Sequence, residues 1–320
     1  MQNISKIDNI LIPIIKQYED FKNLLIIQSL IKNWPEVFLF RIGIKNNMLM
    51  EFKDGRRVII KNLSDYHKFW DSKIGQLYLL QNKIDLKVNH SVVEFKWYSH
   101  TIYFIYKDDK QLRNIFGTIQ ENFITDQFAY LKVKNKDVVD IGANIADTAV
   151  YFVSKGAKHV YAFEPYPYSY NLAKKNIKLN KLENQITLLN EGCGGKNKKI
   201  KISSVFKNSA GSSLKNFKKG KTINITSLDQ ITKKLKLNNA ILKIDCEGCE
   251  YGVILNAEKQ SLRKFDQIAI EYHHGYLNLI KKLKDCGFKT KFTIPQCHST
   301  ITNKGYFGMI YAKRIIYSNQ

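Results

Sequence analysis

A chain that runs Val138-Val139-Asp140-Ile141-Gly142-Ala143-Asn144 and returns about twenty residues later as Val160-Tyr161-Ala162-Phe163-Glu164-Pro165 has few ways to fold. Each apolar run has the length of a short buried strand. Gly142 permits a sharp turn and a close approach of backbone to a ligand. From Asp147 onward, Ala149, Val150, Phe152 and Val153 repeat at helical spacing, and Gly156 is a stop. The reading is strand, tight turn, helix, second strand, with an acidic residue closing each strand. Two such strands joined by a helix run parallel and share one sheet.

The pattern continues. Strands are predicted at 138–142, 160–164, 186–190, 241–245, 267–272, 288–293 and 307–313, and helices at 147–155, 168–180, 227–236 and 276–285. This alternation predicts an α/β fold with a doubly wound, mostly parallel sheet. The last two strands have no helix between them, so the terminal strand is expected to be antiparallel. Residues 193–226 read as an insert with one strand at 200–202 and a mobile loop over 207–221. Ahead of this region the texture differs. Ile4 to Leu25 carry an amphipathic helical stripe that Trp34-Pro35 ends, and Val37–Ile44 reads as β. A hairpin turns at Lys53-Asp54-Gly55-Arg56, a short helix covers 66–70, and a second hairpin turns at Ser99-His100. The division expected is an accessory α+β domain over 1–110 and a catalytic domain over 111–320. Residues 115–131 lead into the latter, with Asp126, Gln127 and Tyr130 either lining a pocket or simply packing.

Composition bounds the partners. The chain has 320 residues and a formal net charge of +23. Between Asn171 and Lys236 lie sixteen Lys against three acids (Glu183, Glu191 and Asp229). Such a face suits nucleic acid, an anionic membrane surface or a phosphorylated lipid carrier. Lys without Arg and with few interleaved aromatics fits solvated surface better than base-stacking RNA recognition. No run of eighteen apolar residues suggests a membrane span, and the first residues do not read as a secretion leader. Five irregularly spaced cysteines argue for free thiols in a reducing, cytoplasmic setting, peripheral to a membrane at most.

Ligands of open parallel sheets bind outside the carboxyl ends of the strands. A dinucleotide wants three glycines around its pyrophosphate. Here the turn holds one, with the carboxylate of Asp140 two residues before it. An acid at that point suits a cationic ligand, and S-adenosylmethionine carries both a sulfonium and an ammonium. On this reading Asp140, Gly142, Ala143, Asn144, Asp147 and Thr148 take the methionine end. Glu164, followed by Pro165, takes the ribose hydroxyls, and Asn190, Glu191 and Gly192 border the adenine. Asp147 serves equally well as the N-cap of its helix. At the fourth and fifth strand ends, Asp245 is the expected general base or acceptor anchor, His273 the second choice, and Glu247 and Glu271 their neighbours. Each has an alternative life as a hydrogen-bonding or capping group; His274 is a bystander.

Asp140-Ile141-Gly142-Ala143-Asn144-Ile145, Phe163-Glu164-Pro165, Leu242-Lys243-Ile244-Asp245-Cys246-Glu247-Gly248-Cys249-Glu250 and Ile270-Glu271-Tyr272-His273 together resemble the FkbM family of S-adenosylmethionine-dependent methyltransferases, over about the last 200 residues. The resemblance implies a Rossmann-like methyltransferase fold and a hydroxyl acceptor on a sugar, glycan, glycolipid or polyketide. The accessory domain would then select that acceptor. The family usually has Gly where this chain has Ala146, which a left-handed backbone there would make costly. It usually has small apolar residues at 246 and 249, so Cys246 and Cys249 read as small hydrophobes. A zinc site would need two further ligands, and no metal is expected. Two other readings stay open: an RNA methyltransferase using the basic 171–236 face, against which stands the lack of an Asn/Asp-Pro-Pro-Tyr tetrapeptide after the fourth strand, and a non-catalytic binding module.

Overall fold

A computed structural model describes residues 25, 27–70, 72–81, 83–202, 217–293, 295–297 and 306–315. The chain divides into two compact units, one of residues 1–101 and 106–120, the other of 102–105 and 121–320.

In the first unit, helix α1 (Trp34–Arg41) is followed by the hairpin β1 (Met48–Glu51) and β2 (Arg57–Ile60). Helices α2 (Leu63–Trp70) and α3 (Lys73–Gln81) come next, then β3 (Leu86–Asn89) antiparallel to β4 (Val92–Trp97). The stretch 37–44, read as β from its apolar content, is instead largely helix. Pro35 starts α1 rather than ending an element, because a first-turn residue needs no amide hydrogen and proline's φ is already helical. Val37 and Phe40 are buried while Phe38 is exposed, which is the three-residue spacing of a helix. The stripe at Ile4–Leu24 lies outside the described residues.

Strand β5 (His100–Ile105) leads to α4 (Asp109–Thr118), capped by the Asp108 carboxylate on the Gln111 amide, and then to a π-helical turn (Ile119–Ile124). Residues 102–105 group with the second unit for a visible reason. The Asn180 side chain accepts the Tyr103 amide and donates to the Tyr103 carbonyl, and Asn176 accepts the Ile105 amide.

The second unit continues with β6 (Asp137–Ile141), α5 (Asp147–Ser154), β7 (His159–Phe163), α6 (Pro167–Leu179) and β8 (Ile186–Leu189). Strands β9 (Glu191–Gly194), β10 (Lys198–Ile202) and β11 (Lys221–Ser227) form a small separate sheet. After them come α7 (Leu228–Lys234), β12 (Ala240–Ile244), α8 (Glu250–Asn256), α9 (Lys259–Leu262), β13 (Phe265–Tyr272), α10 (Leu277–Asp285), β14 (Phe288–Phe292), the two-residue β15 (Gln296–Cys297) and β16 (Tyr306–Arg314). The main sheet has the order β14-β16-β13-β12-β6-β7-β8, with β15 pairing off β16. Only β16 runs against its neighbours β13 and β14. The parallel centre and the reversed terminal strand agree with expectation. The loop expected at 207–221 falls mainly on undescribed residues, and its end, from Lys221, is strand.

From β6 the chain winds outward through β7 to β8, then returns to the other side of β6 with β12. That reversal opens a crevice at the carboxyl ends of β6 and β12. Strand β12 is buried at every position. Its side chains pack with Val139, Ile141, Leu228, Val253, Ile268 and Ile270 in one apolar cluster, which fixes the strand tips rigidly.

Candidate active site

The site is built around the turn after β6. Gly142 has φ +82, and a Cβ there would lie 1.7 Å from the Asp245 carbonyl oxygen. Only glycine lets the two strand ends approach this closely. The Gly142 and Ala143 amides both donate to the Phe163 carbonyl, at 3.1 and 3.0 Å, so the β6 and β7 tips are neighbours. Asn144 and Ala146 are both left-handed, with φ 45 and 67. Ala146 is wholly buried and stands at the N-cap of α5, where the strain expected of a non-glycine residue is present. Asp147 is therefore the first residue of α5, not its cap.

Glu164 is 2% exposed. One carboxylate oxygen accepts the Asn144 amide at 2.9 Å and the other the Tyr166 amide at 2.8 Å. Burial nevertheless pushes its pKa up to about 8. Asn190 donates its side-chain amide to the Glu164 and Pro165 carbonyls and so braces this strand tip. Glu191 and Gly192 lie in β9 and pair with β11; the Glu191 carboxylate accepts the Thr226 hydroxyl at 2.8 Å.

Asp140 is fully buried, and its first contact is inside the protein. Lys243, at the matching position of the next strand, places Nζ 3.0 Å from its carboxylate, and the Thr148 hydroxyl donates to it at 2.6 Å. The cation that the sequence assigned to a ligand is met first by the chain's own lysine. Lys243 also donates to the Gly142 carbonyl at 2.9 Å and lies 4.0 Å from Asp245. Burial alone would lower its pKa, but Asp140, Asp245 and Asp147 together hold it above the usual lysine range. Lys243 was not singled out from sequence. Its signal was there: a charge inside an otherwise apolar, all-buried strand survives only if paired. Asp147 accepts an amide hydrogen bond from Asn122 at 2.8 Å, and burial raises its pKa to about 7.

At the ends of β12 and β13, Asp245, Glu271 and His273 bring ligating atoms within 4.8 Å of one another. Burial and the adjacent, hydrogen-bonded Asp245 carboxylate push Glu271 up to about 9. His273 is gripped at both nitrogens, by the fully buried Glu250 at Nδ1 and by Glu247 at 3.3 Å from Nε2. Burial disfavours its charge, but Glu250, Glu247 and Glu271 outweigh that and raise its pKa to about 9. Glu247 has φ 56, a left-handed strain at a strand-end loop. Glu121, in the π-helical turn, is a further member missed from sequence. Burial, then Asp245 and Asp147, raise its pKa to about 7.

Three expectations are corrected or narrowed. Cys246 and Cys249 are not free small hydrophobes but a disulfide within the Asp245–Glu250 loop; the turn through Gly248 brings their Cα atoms to 5.5 Å. Asp126 bonds the Tyr151 hydroxyl and Lys155, Gln127 accepts the Tyr311 hydroxyl through its carbonyl, and the Tyr130 ring packs on Tyr311, so each has a partner within the protein. His274 stacks on Tyr251, away from the cluster's contacts.

Residues 140–290 match the family described as the Methyltransferase FkbM domain. No curated protein matches the chain. Among solved structures, the chain is similar to TYW2 of M. jannaschii in complex with AdoMet, at 17% identity over 72% of this chain and 90% of that one, with a TM-score of 0.39. It is similar to methyltransferase FkbM from Methylobacillus flagellatus KT, at 13% identity, 64% and 55% coverage and a TM-score of 0.38. The METTL16 methyltransferase domain gives 14% identity, 83% and 86% coverage and a TM-score of 0.41.

Proposed function

With residues 140–290 an FkbM-type, S-adenosylmethionine-dependent methyltransferase domain, we propose that the methyl group goes to a hydroxyl oxygen on a sugar, glycan, glycolipid or related metabolite. The observation that carries this reading is the Asp245–Glu271–His273 cluster, beside the Gly142 turn at the strand tips. The donor sulfonium is already activated, so alignment and exclusion of water supply most of the catalysis. A hydroxyl holds its proton far more tightly than a thiol does, so its methylation gains from a group that removes that proton. Burial and the neighbouring Asp245 raise the proton affinity of Glu271, which suits a proton acceptor at this point. As the methyl–sulfur bond breaks and the methyl–oxygen bond forms, this cluster and its neighbour Glu247 anchor the acceptor and take up its proton.

For the cofactor, the turn Gly142–Asn144 with Asp147 and Thr148 receives the methionine end. The buried Glu164 receives the ribose diol with the lone pairs its two amide bonds leave open. Asn190, Glu191 and Gly192 border the adenine. Because Asp140 neutralises Lys243, Glu164 is the cleaner probe. Glu164→Gln should weaken S-adenosylhomocysteine binding by about tenfold or more while the fold persists. Asp245→Asn should leave that binding intact and slow methyl transfer by about a hundredfold or more.

The deciding experiment supplies a labelled methyl donor with separated fractions of glycans, lipids and RNA. Label in an alkali-stable methyl ether of a glycan or lipid is the expected result. Label confined to RNA bases overturns the oxygen assignment, and unchanged cofactor affinity in Glu164→Gln overturns the placement of the cofactor.

A further inference from the structure

The charge around Asp245 is unbalanced. Asp245 and Glu271 cluster with His273, and Glu247 and Glu250 both contact the His273 ring. The lysine beside Asp245, Lys243, is committed to Asp140 at 3.0 Å and stands 4.0 Å from Asp245. Asp245 and Glu271 place ligating oxygens within 4.8 Å of each other, and two carboxylates so close favour a cation shared between them.

Three features select the cation. The Asp245, Glu271 and His273 ligating atoms come from two adjacent strand ends and lie within 4.8 Å of one another, close enough for one ion to touch all three. His273 is oriented as a metal-bound imidazole is. Its Nδ1 is held by Glu250, a wholly buried carboxylate, so Nε2 is the nitrogen facing the acidic side, as its 3.3 Å contact with Glu247 records. The second oxygen of Glu250 has no hydrogen-bond partner among the described residues, which leaves a buried negative charge only partly compensated by the imidazole.

We propose that Asp245, Glu271 and His273 bind one hard divalent cation of the Mn2+ or Mg2+ class, which coordinates the acceptor hydroxyl. Two carboxylates and one imidazole, with positions left for water and substrate, suit such an ion better than zinc, which favours tetrahedral sites richer in sulfur and nitrogen. The ion lowers the hydroxyl's proton affinity. The proton passes to Glu247, the methyl–sulfur bond breaks, the methyl–oxygen bond forms, and the cation keeps its charge throughout. Asp245 then acts as the acceptor anchor and Glu247 as the proton acceptor. This deepens the hydroxyl-methylation reading and rests on it for the role of the ion, though not for its binding.

The test uses the full chain stripped with chelator and titrated with Mn2+, read by the paramagnetic resonance of the free ion, with S-adenosylhomocysteine binding measured on the same samples. One Mn2+ per chain is expected. Glu271→Gln should weaken it by at least tenfold, and Glu250→Gln, whose carboxylate hydrogen-bonds His273, by about ten- to a hundredfold. Both variants should still bind S-adenosylhomocysteine. If wild type binds S-adenosylhomocysteine but no Mn2+, or if both variants bind Mn2+ as wild type does, the cation site is overturned and the methyltransferase reading stands. Mn2+ binding without any S-adenosylhomocysteine binding would sink the cofactor reading and leave the metal site.

Discussion

Lys243 is the residue on which the crevice turns. It is 1% exposed, at the middle of the sheet, and it ties the β6 and β12 tips together through Asp140, Asp245 and the Gly142 carbonyl. Removing one member of a buried pair leaves the other charged and unsolvated. Lys243→Met should therefore cost about 3–5 kcal/mol. The double change Lys243→Met with Asp140→Asn should recover part of that; denaturant titration of the three variants measures it, and an additive double variant refutes the coupling. Ala146 is the opposite case, a strained residue with a simple remedy. A left-handed alanine costs roughly 1–2 kcal/mol, and glycine returns about 0.4–1 kcal/mol of that through the freer unfolded chain. Ala146→Gly should stabilise the fold by about 0.5–1 kcal/mol, seen as a melting temperature higher by about 2 °C. A lower melting temperature would show that the alanine methyl packs better than its backbone angle suggests. Gly142 and Glu164 could be read from sequence as a turn and an acid at a strand end. The Lys243–Asp140 pair could not, because it depends on which strand lies beside which.

At the scale of elements, the strand-end acids make stability depend on pH. Glu164 has a folded pKa of about 8 against an ordinary value of 4.5. Its protonated form is favoured in the folded state, so this stabilisation is fully present below about pH 4.5 and is lost as pH rises through about 8. Melting temperature should fall across that window, and Glu164→Gln should flatten the fall; a profile of unchanged slope in the variant contradicts the assignment. The Asp245–Glu250 loop carries another element-level feature, its disulfide. So short a ring restrains little unfolded chain, and Cys249→Ala should cost no more than about 2 kcal/mol in denaturant titration. The cysteine spacing showed a C-x-x-C pair but not its pairing, which follows from the turn at Gly248. Strand and helix order in the second unit was legible almost throughout, since long periodic runs leave little choice. The helix at Trp34–Arg41 was not, because a short apolar run fits either period until its burial pattern is known. Helix α8 is missed for the same reason, and α9, Lys259–Leu262, because a single turn with one apolar residue has no period to read.

The whole molecule carries +23, much of it on lysine. If the acceptor is a small hydroxyl compound, this charge lies outside the chemistry. Methyl transfer should then change by less than about threefold between 50 and 200 mM salt, whereas an RNA acceptor held by many phosphate contacts would lose about a thousandfold or more in affinity. Initial rates at low acceptor concentration decide between them. No helix among the described residues is long and apolar enough to cross a membrane.

The amino-acid order alone determined the parallel α/β sheet, its reversed last strand, the glycine turn and the acids at the strand tips, because these follow from periodicity and from what each residue's backbone allows. Only the tertiary structure decided which charges meet. Strands distant in sequence became neighbours, β6 beside β12 and β12 beside β13. Charge pairing depends on distance and burial, which a linear pattern does not contain. The partner of Asp140, the grip of Glu250 on His273 and the Asp245–Glu271 contact therefore emerged only once the sheet order was known.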